Sequence, residues 1–510
     1  MFAAQVRADR VGEDTSTVPL PDASHLLSVP DERWLAVGRR LREIGVTTDA
    51  VTEICGVGTP LLGAARAPLC RWRLRKSSEP AATAMRLLVF GDTVTQEEGE
   101  RALGSELLAA LLRAKLIVAD PAGGLVSPFR INLVDEQYVL CDDLLHGGEA
   151  VMGVGQTTLD LAQAACPPEP VGRLLDLGCG AGTIAMLFSP HAEHCIGTDV
   201  NARALLLAQI NLALNGTENA ELRAGDLFAP VDGAAFDLIV SQPPFVALPR
   251  GVAPSTFMHG GERGDELALR LLAELPTRLR PGGRACLLVE WPVVDDESLE
   301  RRVRAALGTD EPDLLVVELP RWDLDDYCAR YTALLHPELG EAFVRQTVAQ
   351  REHLERLGVS ALQPAFTVVA RPIGRRGWTA TVEVVAGRAS DVTNSRINAL
   401  LGAHDLLASG DDELRRAGLR VADAAVVVER PFAAVSEAVR LRFPRATLLP
   451  ELELSPDSFL LVSLVDESGS VDEAAGAFAE RQGLPADSET AALILAGVRE
   501  ALACGVLQPR

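Results

Sequence analysis

Aromatic side chains are scarce in this chain: Phe, Trp and Tyr together make up 4% of it, and only 3 residues are tyrosine. Stacking platforms of the kind that grip single-stranded nucleic acid must therefore be few. Positive charge is short as well. Against 71 aspartates and glutamates stand 48 lysines and arginines, leaving a formal net charge of −23, a balance that repels phosphate backbones and anionic membrane faces unless a basic patch is segregated on one surface. Nucleic acid is disfavoured on that ground, not excluded. No uninterrupted apolar run reaches the ~18 residues of a membrane-crossing helix, and the opening "MFAAQVRADRVGEDTSTVPLPDASH" lacks the continuous apolar stretch of a secretory signal. The nine cysteines (Cys55, Cys70, Cys141, Cys166, Cys179, Cys195, Cys286, Cys328 and Cys504) form no C-x-x-C pair and no Cys/His cluster. This reads as a cytoplasmic protein in a reducing compartment, with no membrane partner and no metal. Internal repeats and low-complexity tracts are lacking too.

What is present is ample core: 48% of the residues are hydrophobic, and the length suits two to four units. Residues 1–28 are polar and mixed, and are expected to form a flexible leader. From "DERWLAVGRRLREIG" onward apolar positions recur at helical spacing. The later order of helix, helix, strand, Gly-containing turn and strand makes residues 29–144 either a winged-helix-like unit or a helical cap on the next domain. The cluster Arg66, Arg71, Arg73, Arg75 and Lys76 is read as a solvated face rather than a binding patch.

Over residues 145–375 seven apolar strands alternate with helices, the rhythm of a mostly parallel α/β sheet. The last two strands are separated by a helical insertion from "DLDDYC" to "ERLG". Residues 376–510 form a separate α+β piece. Its order of helix, short helix, longer helix and final strand resembles the winged-helix modules that end several peptide-modifying enzymes, and a dimerisation or lid domain fits as well. The oligomeric state is not legible.

The strongest chemical signal is "RLLDLGCGAGTIAMLF", with Asp176, Gly178, Gly180 and Gly182. Alternate glycines after a buried strand, opening a helix, let the backbone turn tightly and approach a ligand. The next strand ends in Asp199, where an acidic side chain can hold both hydroxyls of a ribose. A dehydrogenase fingerprint places its third glycine three positions after the second, whereas here Gly182 follows Gly180 by two. The D-x-G-x-G-x-G pattern instead resembles motif I of class I S-adenosylmethionine-dependent methyltransferases. That resemblance implies a Rossmann-like seven-stranded domain, S-adenosylmethionine as cofactor and S-adenosylhomocysteine as product. It also implies that Asp226 of "AGDLF" accepts from the adenine amino group, that Leu227 and Phe228 pack on the ring, and that Thr157 and Thr158 contact the methionine part. Val200 and Ser241 count among the cofactor positions on the same ground. "LRPGGRACLLVEW" resembles the turn that precedes the fifth strand of that family.

At the fourth strand's end stands "SQPPF". It resembles the Asn-Pro-Pro-Tyr/Phe motif of the HemK-like and methyltransferase small-domain enzymes, which methylate exocyclic amines of adenine or guanine and the side-chain amide of glutamine. "HGGERGDELALRLL" resembles the Gly-rich helix start after that motif. The resemblance makes Gln242, Pro243 and Phe245 the catalytic positions. A nitrogen whose lone pair is delocalised needs its N–H groups held and its lone pair aimed at the sulfonium methyl; proline fixes the turn and the aromatic gives a planar group a face to stack on. Gln242 departs from the pattern by one methylene. The candidate acceptors are a small molecule, as in natural-product tailoring, or a peptide or protein, with RNA or DNA bases behind them. A cofactor-binding but catalytically silent scaffold is the reading of another class that Gln242 keeps open. His146, His259, Glu149 and Glu290 are read as surface or packing residues rather than bases.

Overall fold

The computed structural model describes residues 19–55, 66–143, 149–252, 254–294, 297–336, 339–384, 388–429, 438–443, 451–485 and 487–510. Its centre is a sheet of eight strands: β1 (Val171–Leu177), β2 (Ala192–Asp199), β3 (Ala220–Ala224), β4 (Phe236–Ser241), β5 (Leu279–Val294), β6 (Asp313–Glu318), β7 (Val359–Ala370) and β8 (Thr379–Glu383). In space they run β8-β6-β7-β5-β4-β1-β2-β3. All neighbours are parallel except β7, which is antiparallel to β5 and β6. The seven strands expected from the sequence are all present. The eighth is a correction: β8 pairs with the outer edge of β6 and buries Ala380 and Val382 on one face of the sheet, so the sheet continues past residue 375, where the domain was expected to end.

Strand side chains alternate between two helical layers. Leu175, Ile239 and Leu287 pack against α4 (Glu266–Arg278), α5 (Leu299–Leu307), α6 (Leu324–Leu335) and α7 (Glu341–Arg356), whereas Leu174, Leu238 and Val240 pack against α1 (Gln156–Ala165), α2 (Thr183–Phe188) and a helix at Asn394–Ser409. The expected helical insertion between β6 and β7 is α6 and α7. In the "RPGG" stretch Gly282 takes φ 78°, and the pairing with β4 shifts between Leu279 and Arg284. This is a bulge at the start of β5.

The N-terminal unit has the expected helices, with a pair at Gln96–Leu103 and Ser105–Arg113 followed by hairpins at 118–126 and 129–142. It does not keep its own core. Trp34, Leu41, Tyr138 and Leu140 share one cluster with Leu207, Ile210 and Leu214 of α3 (Ala202–Asn215), which is the packing of a cap. Asn211, fully buried, cements the join: its Oδ1 accepts from the Leu140 N–H at 2.7 Å, and its Nδ2 donates to the Leu140 and Ala181 carbonyls at 2.9 and 3.0 Å. The flexible leader also needs correction over its described part. Residues Ala23–Ser28 form a 3-10 turn capped by Asp22, and Leu26 is wholly buried in that same cluster; residues 1–18 lie outside the described residues. Of the arginine cluster, Arg71 and Arg73 donate to the Phe90 and Ile54 carbonyls and Arg75 pairs with Asp92.

The C-terminal piece combines a three-stranded antiparallel sheet (Ala425–Glu429, Ala438–Arg442, Glu451–Leu454) with helices Pro456–Glu467, Val471–Gln482 and Ser488–Ala503. Its last strand, Leu507–Pro509, pairs antiparallel with Leu419–Val421. Among the described residues no helix is long and apolar enough to cross a membrane and no cluster of three or more His, Cys, Asp or Glu could hold a metal.

Replacing Asn211 by Ala strands one N–H and two carbonyls in the interior, at a cost of roughly 3 kcal/mol. A urea titration should show a lower midpoint with an unchanged slope; an unchanged midpoint would refute the role of Asn211 as the joint between cap and sheet.

Candidate functional site

Strand order reverses between β1 and β4, and the crevice outside the carboxyl ends of such strands is where open α/β sheets take ligands. A cavity of about 560 Å³ lies there. Its floor is the glycine turn after β1. Gly178 and Cys179 donate their N–H groups to the Thr198 carbonyl at 2.8 and 2.9 Å, and Gly178, Gly180 and Gly182 take φ of 78°, 52° and 78°, the left-handed region that side chains disfavour. Gly178 and Gly180 line the cavity. Gly182, expected to contact cofactor, is not in the cavity wall: a Cβ there would lie 3.1 Å from that of Ala208, so its smallness serves the packing of the turn on α3.

Asp199 stands at the tip of β2. Its Oδ2 accepts from the Gly180 N–H and its Oδ1 from the Asn201 N–H, both at 2.8 Å, and burial raises its pKa. Asp176, buried beneath the turn, accepts from the Ala185 N–H at 3.0 Å, and desolvation pushes its carboxyl up to about 7. Val200 is exposed at the cavity edge. After β3, Asp226 reaches the wall while paired with Arg270 at 2.7 Å. Leu227 takes a φ of 45° and also lines the cavity, whereas Phe228 turns the other way into the core, fully buried. The expected packing of Phe228 on a bound ring is therefore corrected.

The turn after β4 completes the wall. Ser241 donates its hydroxyl to the Leu177 carbonyl at 2.7 Å. Gln242, expected at the acceptor, meets Thr157 and Thr158 at the start of α1: its Nε2 donates to Thr157 Oγ1 at 2.5 Å, and Thr158 Oγ1 donates to its Oε1 at 3.4 Å. Pro243 and Phe245 line the cavity beside it. The "HGGERGD" segment lies directly on this turn, Val246–Ala247 pairing with His259–Gly261. A Cβ on Gly260 would sit 2.4 Å from the Pro244 carbonyl oxygen and one on Gly264, at φ 105°, 2.5 Å from that of Phe245. Only bare backbone fits there.

Sequence reasoning missed the far wall. Tyr331 on α6 faces Phe245 edge-on, ring centroids 5.9 Å apart at 83°, and its Oη donates to Glu290 Oε1 at 2.8 Å. Glu290 is buried in β5, and desolvation pushes its carboxyl up to about 7. Its signal was faint: a carboxylate inside the run "CLLVEW", and a tyrosine in a chain nearly without them. His259 lines the cavity, accepts the Ser255 N–H on Nδ1 at 2.9 Å, and is held below its ordinary pKa by burial. Glu149 accepts from Thr256 Oγ1 at 2.5 Å; His146 lies outside the described residues.

Taken as chemistry, one end of the cavity offers carboxylates and close-packed backbone for a nucleoside, and the other offers an amide and aromatic faces for a planar group. Residues 158–306 match the family model described as "Methyltransferase small domain". Ribosomal RNA small subunit methyltransferase C of Alcanivorax borkumensis is 35% identical over 126 residues, covering 25% of this chain and 33% of the relative. Release factor glutamine methyltransferase of Xylella fastidiosa is 37% identical over 131 residues, covering 23% and 47%. Ribosomal protein uL3 glutamine methyltransferase of Bradyrhizobium diazoefficiens is 32% identical over 170 residues, covering 31% and 53%. The chain thus spans between a third and about half of the length of these curated relatives.

Asp199→Ala removes the carboxylate that lines the cavity and frees the glycine turn that it holds through the Gly180 N–H. Isothermal titration with S-adenosylhomocysteine should show at least about a tenfold loss of affinity, the worth of one good hydrogen bond to a charged group; unchanged affinity would remove Asp199 from the site.

Proposed function

We propose, for a chain whose residues 158–306 match the methyltransferase small-domain model, that it transfers the methyl group of S-adenosylmethionine to a planar amide nitrogen of a peptide or protein. The observation that carries this reading is the placement of the Gln242 amide and the Phe245 ring in the same cavity as Asp199 and Asp226. Asp199 holds the ribose hydroxyls, Asp226 and Leu227 the adenine, and the bare backbone of Gly178 and Gly180 lets the cofactor lie against the turn. Asp176 fixes that turn from below through the Ala185 N–H.

At the acceptor end the amide nitrogen stacks its plane on Phe245. Gln242 Oε1 keeps a lone pair beyond the one directed at Thr158 and accepts one N–H of the substrate; a carbonyl of the Pro-Pro turn accepts the other. Both bonds draw the nitrogen toward sp³ geometry and aim its lone pair at the methyl carbon. The longer reach of Gln242 relative to asparagine is compensated by the two threonine hydroxyls, which hold the amide in one orientation before substrate arrives. The scaffold reading has no use for such an arrangement.

Two relatives bear names that specify glutamine methylation, and a glutamine carboxamide is a planar amide of this kind. RNA is the second reading, favoured by the ribosomal RNA methyltransferase among the relatives. Against it stand the charge of −23 and a cavity wall in which Asp176, Asp199 and Asp226 face one permanent cation among the described residues, Arg330. A free small-molecule amide would undergo the same chemistry.

Incubation with radiolabelled S-adenosylmethionine and three acceptors (glutamine-containing peptides, ribosomal RNA and N-acetylglutamine amide) should label the peptides. Label in RNA alone would overturn the choice of acceptor. Gln242→Ala should lower kcat by roughly 100-fold, as expected when a positioning contact is lost, while leaving the affinity for S-adenosylhomocysteine within about twofold. An unaltered kcat would take Gln242 out of the mechanism.

A further inference from the structure

Methyl transfer to nitrogen leaves a proton to be removed, and the chain holds a pair suited to it. The Tyr331 ring lies edge-on to Phe245 in the cavity wall, and its Oη donates to Glu290 Oε1 at 2.8 Å. Glu290 is 5% exposed, and its Oε2 has no hydrogen-bond partner among the described residues. A buried polar group that serves only the core is ordinarily satisfied throughout; this one leaves an oxygen without a partner behind Tyr331, which itself lines the cavity. The titratable and charged groups that act on it are Tyr331, Tyr327 and Arg330, all from α6. Arg330 is exposed, and burial is the dominant influence.

The other groups in the cavity are less suited. His259 accepts the Ser255 N–H on Nδ1, so the neutral ring carries its hydrogen on Nε2 and has no free lone pair to offer there. Asp176 lies under the glycine turn, bonded to the Ala185 N–H at the cofactor end. We propose that Tyr331 takes the proton from the newly methylated nitrogen, with Glu290 as the positioning residue that receives the tyrosine's own hydrogen. This rests on the methyltransferase reading given above.

The step balances. The nitrogen lone pair forms the C–N bond while the C–S bond breaks with its electrons going to sulfur, giving the neutral thioether of S-adenosylhomocysteine and a cationic nitrogen. The surplus proton passes from nitrogen to Tyr331 Oη as the phenolic hydrogen passes to the Glu290 carboxylate. The products are a neutral methylated nitrogen, an unchanged tyrosine and a protonated Glu290, which then releases its proton to solvent. Only the ionised carboxylate can accept, and burial has pushed the Glu290 carboxyl up to about 7. The rate is therefore lost as pH falls through that value and is full above it.

The test measures kcat against pH with radiolabelled S-adenosylmethionine and a glutamine-containing peptide. The wild-type profile should bend near pH 7. Glu290→Gln, nearly isosteric, should abolish that bend, and Tyr331→Phe, which keeps the ring against Phe245, should lower kcat at high pH by about 100-fold or more, as removal of a proton-transfer group does. The KM for the peptide and the affinity for S-adenosylhomocysteine should stay within about twofold, the latter reporting that both variants are folded. A wild-type bend that persists in Glu290→Gln overturns the proton path and leaves the methyltransferase reading standing. Wild-type protein that binds S-adenosylhomocysteine and labels no acceptor overturns both.

Discussion

Two backbone N–H groups from separate turns converge on one carboxylate, that of Asp199, and the site is arranged around that convergence. The Gly180 N–H comes from the turn after β1 and the Asn201 N–H from the second residue after β2. Three glycines in the left-handed region surrender more chain entropy on ordering than any other residues would. The bonds to Asp199, with those of Gly178 and Cys179 to Thr198, offset that loss. Burial works against the charged form of this carboxylate; the two N–H donors work for it. A carboxylate so held is rigid, and each of its oxygens has a lone pair remaining. A rigid acceptor placed before a ligand arrives is the electrostatic condition that a binding site needs.

The sequence was most legible where the signal was contiguous. The strand, glycine turn and helix of β1 and α2, the aspartate closing β2, and the Pro-Pro turn after β4 each occupy a few adjacent residues. Local backbone requirements are written into such stretches directly. What could not be read depended on partners far along the chain. Gly182 has the same spacing as its neighbours but faces Ala208 rather than ligand, and Phe228 and Leu227 are adjacent yet part, because a φ of 45° at Leu227 sends one outward and the other into the core. Strand β8 was missed because its alternating Thr-Ala-Thr-Val-Glu pattern is short and only one face is buried. Tyr331 and Glu290 are 41 residues apart, joined only once the insertion folds back on the sheet.

Gln242 illustrates both conditions. Read along the chain, it is an asparagine position displaced by one methylene. In space it meets Thr157 and Thr158, some 85 residues away, and both ends of its amide are engaged by them. An apparent departure from a motif is thus half of a pair, whose other half lies at the mouth of a different helix.

The two glutamine and asparagine contacts differ in what they connect. Gln242 joins parts of one cavity, whereas Asn211 joins the hairpin at 129–142 to the carbonyl of Ala181 inside the glycine turn. The cavity and the strands around it are consequently not a transplantable cassette. Exchange of the segment before residue 145 for one whose hairpin does not bring the same backbone N–H and carbonyl to Asn211 would leave its amide stranded beneath the glycine turn. The fit of the cap is thereby tied to the conformation of a turn it meets only through one buried amide.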